Sequence, residues 1–561
     1  MLSRLSTKLP PVNALRIADG KDFSGGLNTY DTPNNLSRKF ATVLRNLYPD
    51  TNGRLKIRYG TSIFADLSAD PNIDEIIAME YFNTALIVVF KNGKIYSVNA
   101  SGVTTVRWNA AIAGGAGAWS TGLTYASFTQ FNGSLIICNG VDKPLIMSAA
   151  YATGYLVDLG TGSNLYVPRA KYCATHANHL VLAVTPTNDS TIYVSMQGTS
   201  GTFFGAPGAN NDGTNFNTST YVARGSVRIT GMTAFRDKLI LSFAETILAI
   251  QFGAYDTSKN PHVHTLTVAD AVENFGSVSA KTLLPLGDDV LLLDKAGVAS
   301  VQRALITGNL SPVRESTLIS VTLQNALKDF TPAQLEQYTF CAHDRIAQHM
   351  MFFIPKSTTV TSTTDNHVFV FCFDRAQRFK AWTYFDGMPY RSTARSAENR
   401  TFFASTNKIW YYRNQYDPLY NDASGTGTQT WDDGTSWDDA TNWVGESGVP
   451  ITFDFEMPWS DLREPGKIKQ SKYFSAVFEG AATVHTEMYI DGFGTESLSA
   501  NMTQTDYPVS GEEYLRPANN AQLLAWPQKF ESFRLRFTGS ASTFFSIVSL
   551  RLAYLVGSIR R

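Results

Sequence analysis

Residues 85–98 read ALIVVFKNGKIYSV. An apolar run from Ala85 to Phe90 meets Lys91-Asn92-Gly93-Lys94, and an alternating stretch returns from Ile95 to Val98. Asn-Gly supplies the positive φ that a tight reversal demands, so the stretch predicts a β-hairpin. Similar units follow: FTQFNGSLIIC at 128–138, ATHANHLVLAV at 174–184, MTAFRDKLILSF at 232–243 and LLPLGDDVLLLDKAGVASV at 283–301. Aligned on Leu86, Leu135, Leu180, Leu239 and Val290, they stand 49, 45, 59 and 51 residues apart. Looser copies lie around 338–354 and 392–412. Sheet repeats of roughly 40–50 residues mark radial blade architectures. The expectation is an all-β chain built on an irregular β-propeller of about six to seven blades.

Composition agrees. The chain has 561 residues, enough for about two to four domains with large cores. It holds 25 Tyr and 35 Phe, residues that favour pleated, half-buried faces. Charged residues make up 17% and apolar ones 43%, which fits neither disorder nor collagen. A formal net charge of −1 leaves no strong overall field for nucleic acid or anionic membrane. Cys138, Cys173, Cys341 and Cys372 lie far apart in apolar stretches, as expected of reduced, buried thiols in a protein made in a cytoplasm. The first residues, MLSRLSTKLPPVNALRI, lack a signal-like apolar core, and no stretch reaches the roughly 18 apolar residues of a membrane span.

Four parts are expected. Residues 1–70 form an N-terminal arm with Gly25-Gly26 and Pro33. Leu36, Phe40, Val43, Leu44 and Leu47 predict a short helix there, capped by Asn35 or Ser37. A strand follows at 54–60, and the arm is too short for a core of its own. Residues 71–415 are the propeller. Within it a polar loop, KSTTVTSTTDN at 356–366, is expected to project into solvent or toward a partner. Residues 416–448 are a Trp/Asp-rich connecting loop, and 449–561 a β-sandwich-like domain that joins the arm in a platform. In SFRLRF at 532–537, Phe533, Leu535 and Phe537 should share one face, and Arg534 and Arg536 the other.

Catalytic motifs are sparse. Thr430-Trp431-Asp432-Asp433-Gly434-Thr435-Ser436-Trp437 resembles the Asp box of sialidase-type propellers, where an Asp caps a turn over a packed Trp. It occurs once, with an echo at Asp438-Asp439, after the repeats, and reads as a folded acidic loop. Asp432, Asp433, Asp438 and Asp439 offer oxygens for calcium but lack the EF-hand spacing. His262 and His264 alternate on one strand face without a nearby third ligand. His176 with His179, and His343 with His349, read as structural or solvent-facing. The glycine-rich runs at 110–122 and 199–213 precede no helix and read as loops, not phosphate cradles. Arg54, Lys56 and Arg58 should share a solvated strand face, and Lys467, Lys469 and Lys472 form a second basic group. No catalytic, cofactor-binding or metal residue is assigned.

FSGGLNTYDTPNNLSRKFATVLRNLYPDTNGRLKIRYG at 23–60 resembles the opening of tail nozzle proteins of short-tailed bacteriophages, also called tail tubular protein B or packaged-DNA stabilisation proteins. The matching features fall on Gly25, Gly26, Leu27, Asp31, Pro33, Asn46, Leu47, Gly53, Arg54, Arg58 and Gly60. FDRAQRFKAW at 373–382 is similar to another element common in them. The resemblance implies a non-enzymatic virion protein without cofactor, synthesised in the bacterial host cytoplasm. It would form a homohexameric nozzle at the distal end of the tail, below an adaptor ring and near tail fibres or a tail needle. The nozzle would retain packaged DNA and then pass it without sequence specificity. The residues also admit a glycan-binding or glycan-cleaving tail propeller, or a kelch/WD-like scaffold.

Overall fold

The computed structural model describes all residues except 1–14, 114–117, 157–166, 202, 204–212, 224, 257, 259–262, 287–288, 302–313, 362–363, 375–378, 415–420, 423–448, 481, 492–497, 505–521, 526–528, 543 and 560–561. The Asp432, Asp433, Asp438 and Asp439 run, His262, residues 114–117 of the first glycine-rich run and most of the second therefore lie outside the described residues. The fold is mostly β and its centre is a propeller.

Each predicted hairpin forms. In the first blade, Ala85–Phe90 pairs with Ile95–Val98 and, on its other side, with the inner strand Ile76–Phe82. Gly93 at the turn has φ +80, and a Cβ there would meet the Ser120 carbonyl at 2.7 Å. The next blades are built on Ser127–Phe131, Tyr172–His176 and Gly231–Phe235, each antiparallel to the strand that follows. A three-stranded sheet, Leu284–Leu286, Asp289–Asp294 and Gly297–Ser300, comes next. Two further four-stranded blades complete the circle, Phe340–Phe385 and Ser392–Tyr412. The last takes its outer strand from far upstream: Thr61–Asp66 lies antiparallel on Lys408–Tyr412. The chain thus closes the propeller with a strand that precedes the first blade. Among the described residues, six four-stranded blades and one three-stranded sheet result.

Residues 36–47 do not form the expected helix. They form short strands, Phe40–Ala41, Val43–Arg45 and Leu47–Pro49. Open strand edges on both sides outcompete a short isolated helix, which is marginal in water. Arg45 pairs with Tyr384 of the Phe340–Phe385 blade on one side and with Asp454 of the C-terminal domain on the other. One sheet therefore runs from that blade through Val43–Arg45 into Val449–Glu456, Phe533–Ala541, Ala482–Ile490 and Leu498–Gln504. A second, seven-stranded sheet includes Arg16–Gly20, Leu55–Ile57, Lys467–Gly480 and Phe545–Ile559. Phe453 stacks on Phe545 at 4.7 Å and Phe455 on Phe537 at 5.7 Å, while Phe23 meets Phe455 edge-on at 5.4 Å. Each buried ring contributes about 1.5–3 kcal/mol, so arm and C-terminal domain share one core. As expected, Phe533, Leu535 and Phe537 are buried, while Arg534 and Arg536 on the other face pair with Glu456 and Asp454.

Among the described residues, the propeller segment holds two named α-helices, α1 (Ser320–Leu327) and α2 (Pro332–Tyr338). The hydroxyl of Thr331 accepts from Gln334 N–H while the Gln334 side chain accepts from Thr331 N–H, with Pro332 opening the helix. Among the described residues no helix is long and apolar enough to cross a membrane. The four cysteines are buried free thiols.

Candidate functional site

Two places gather the polar side chains that sequence reading singles out or misses. The first is the seam between propeller and platform. Gly26 runs parallel to Trp382 with φ +68, and a Cβ would strike the Trp382 carbonyl at 2.6 Å. Asn46 holds a left-handed backbone with φ 57. Its Oδ1 accepts from Arg58 Nε at 3.1 Å and from Asp386 N–H at 2.7 Å, and its Nδ2 donates to Thr452 O at 2.8 Å. Arg58 also donates to Tyr59 O at 3.1 Å and Asp386 O at 3.0 Å. Thr383 donates to the Leu47 carbonyl, and Trp382 Nε1 to Glu315 O at 2.9 Å. Arm, blade and C-terminal domain are thus pinned through a few side chains.

The solvated-face reading of the basic triplet is corrected here. Arg54 pairs with Glu479 at 2.9 Å and Lys56 with Asp50 at 3.1 Å, whereas Arg58 is only 1% exposed. A guanidinium can be buried where its N–H groups all find acceptors, and carbonyls of the turns supply them. In the second basic group, Lys469 is likewise buried, donating to Glu464 O and Glu531 O at 2.6 and 2.7 Å.

The second place is the propeller axis. Helix α2 sits where the inner strands begin, and side chains from successive sheets meet around it. The Glu336 carboxylate takes Lys171 Nζ at 2.7 Å, Arg228 Nη2 at 2.9 Å and the Tyr172 hydroxyl. Ser279 Oγ donates to Glu336 O at 3.0 Å, and Lys281 Nζ donates to Gln337 O at 3.2 Å and to Ile77 O at 3.5 Å. Lys171 and Lys281 lie over the Tyr125 ring at 4.9 and 5.1 Å. Burial pushes the Glu336 carboxyl up, but Lys171, Tyr172 and Arg228 outweigh it and hold it below the ordinary value. Burial, then the charge of Lys171, brings the Lys281 ammonium down to about 8. A small pocket beside α2 is lined by Glu75, Ile77, Lys91, Thr124, Tyr338 and Arg391, among others. The polar loop is largely exposed at residues 356–361, as expected, and is tethered to this end. Arg391 donates to Thr361 O and Thr364 O, both at 2.6 Å, and Gln334 Nε2 donates to Thr358 O at 3.0 Å.

Among the described histidines, His349 and His367 reach the seam, through Tyr48 and Tyr384. His176 and His179 are buried at the seam of adjoining blades, where His179 and His264 rings lie 5.2 Å apart. His343 flanks Phe373, with ring centroids 6.0 Å apart. His349 is buried against Tyr48 with ring centroids 4.6 Å apart, not solvent-facing, and burial brings it down to about 3. Its unfolded imidazole protonates near pH 6.5, so the unfolded state binds the proton first. Stability should therefore fall as pH drops from about 6.5 toward 3, by up to about 1.4 kcal/mol per unit from this group. His349→Phe keeps the ring packing, and urea midpoints across that range should show a shallower acid limb. An unchanged limb would refute the assignment. Among the described residues no group of three His, Cys, Asp or Glu is placed to hold a metal ion.

No family model and no curated protein matches this chain. Solved structures do. A streptogramin B lyase structure shares 10% identity at TM-score 0.37, covering 64% of this chain and 98% of that one. The RRP9 WD40 repeats share 10% at TM-score 0.35, covering 64% and 99%. PorZ, a surface component of the type-IX secretion system of Porphyromonas gingivalis, shares 12% at TM-score 0.34, covering 62% and 37%. At this level of similarity, the fold is read from this chain's own strand pairing.

Proposed function

We propose that the chain is a structural virion protein, the repeating subunit of a hexameric tail nozzle in a short-tailed phage. The observation that carries this reading is the single sheet passing from a propeller blade through Val43–Arg45 into the C-terminal domain. It couples propeller and platform into one stiff body, which suits a ring subunit under load better than an enzyme whose domains close on a substrate. The residues that resemble the nozzle opening, Gly26, Asn46 and Arg58, are those that pin this seam. Helix α2 stoppers the propeller at one end, so the DNA conduit runs between copies around the ring axis and not through a propeller. A near-neutral chain suits that passage, because many free Lys and Arg contacts would hold phosphates through counterion release. Ring closure requires heterologous contacts that repeat after a fixed rotation. Negative-stain imaging and mass photometry of the full chain, alone and with its adaptor, should show six-fold rings with a hollow axis. Monomers under both conditions, or a chain that binds or cleaves glycans as a monomer, would overturn the reading.

A further inference from the structure

We infer that the pocket beside α2 binds a small oxyanion, of the phosphate or carboxylate class. This stands apart from the tail reading and rests on charge. Arg391 is only 4% exposed, yet its described partners are neutral: Asn366 Oδ1, Tyr390 O, Thr361 O and Thr364 O. Its Nε is buried with no hydrogen-bond partner, and the residue lines the pocket. Lys281 donates only to carbonyls of Ile77 and Gln337, both of which line the same pocket.

Carboxylates near these cations are already committed. Glu75 pairs with Lys91 at 3.5 Å, and Glu336 with Lys171 and Arg228. Asp365 pairs with Lys356 at 2.5 Å and accepts from Gly387 N–H and Met388 N–H. Among the described residues neither Arg391 nor Lys281 forms an ion pair. Buried charge such as that of Arg391 is costly unless a counterion compensates it. Thr124 and Tyr338 add hydroxyls to the lining.

The test uses the full chain, with thermal midpoints followed at fixed ionic strength. Inorganic phosphate or acetate should raise the midpoint saturably beyond chloride, as a ligand of the folded state must. The two arms decide between phosphate and carboxylate, and equilibrium dialysis of labelled phosphate should then give one site per chain. Arg391→Gln removes the loop anchor and risks misfolding, so Lys281→Met is the main variant and should weaken binding at least tenfold. Glu75→Gln removes the opposing carboxylate and should tighten binding several-fold, an effect that mere stabilisation of the fold does not predict. A response no greater than that of chloride, or an equal response in Lys281→Met, overturns the inference.

Discussion

Asn46→Ala should lower the stability of the joined platform and blade by about 3–4 kcal/mol, read as a shift in the midpoint of that unit's denaturant transition. The substitution removes three hydrogen bonds at once, to Arg58, the Asp386 N–H and Thr452 O. Arg58 is buried and Asp386 half-buried, so the desolvation of their donors is no longer repaid. Alanine also pays to hold φ 57, a region that asparagine tolerates better. Asn46→Asp gives the contrast. It keeps an acceptor for Arg58 and Asp386 but turns the contact with Thr452 O from donor–acceptor into acceptor–acceptor. It should therefore fall between wild type and alanine, with earlier proteolytic release of the C-terminal domain. A loss under about 1 kcal/mol for Asn46→Ala would mean that the seam is held by apolar packing alone.

Much of the propeller can be read directly from the chain, because its decisive contacts are local. Leu86, Leu135, Leu180, Leu239 and Val290 all fall in the second strand of their sheets, and all are fully or almost fully buried. Two-residue turns such as Asn132-Gly133, with φ 49 and 73, join their strands directly, here Ser127–Phe131 and Ser134–Cys138. The seam is different. Asn46 meets Thr452 across 406 residues and Arg58 meets Asp386 across 328, so nothing near either residue announces a buried role. The same distance explains part of the misread helix: Leu44 and Leu47 have helical spacing, but Leu44 pairs with Phe455 hundreds of residues later, while Leu47 pairs nearby with Ile57. Helix α2 is another matter. Thr331-Pro332-Ala333-Gln334 carries a capping box with Pro at the first helical position, a local signal hidden within a run of strands. The axial cluster has no motif because each sheet contributes only one or two of its members.

Glu336→Gln should cost about 3–5 kcal/mol in the propeller transition, since it breaks a buried ion network by removing its anion. The amide can still meet Tyr172, so shape and hydrogen-bonding capacity are largely kept and the loss reports charge. Lys171, with a side chain 18% exposed, carries most of the effect. Arg228 is 40% exposed, where water screens the pair, so it adds little. Adding Lys171→Met to Glu336→Gln should recover part of the loss, because the stranded ammonium goes with its partner, giving a coupling of about 1–3 kcal/mol. The pH profile separates this carboxylate from the histidines. Glu336 is held below its ordinary value in the fold, so its contribution is present above the unfolded value near 4.5 and is lost as pH falls through the folded one. Histidine losses begin higher, near 6.5, and run downward. Glu336→Gln should thus remove the lower part of the acid limb and leave its upper part in place. If stability changes by less than about 1 kcal/mol at neutral pH, α2 is seated by packing, and the cations at the axis must find their counter-charge elsewhere.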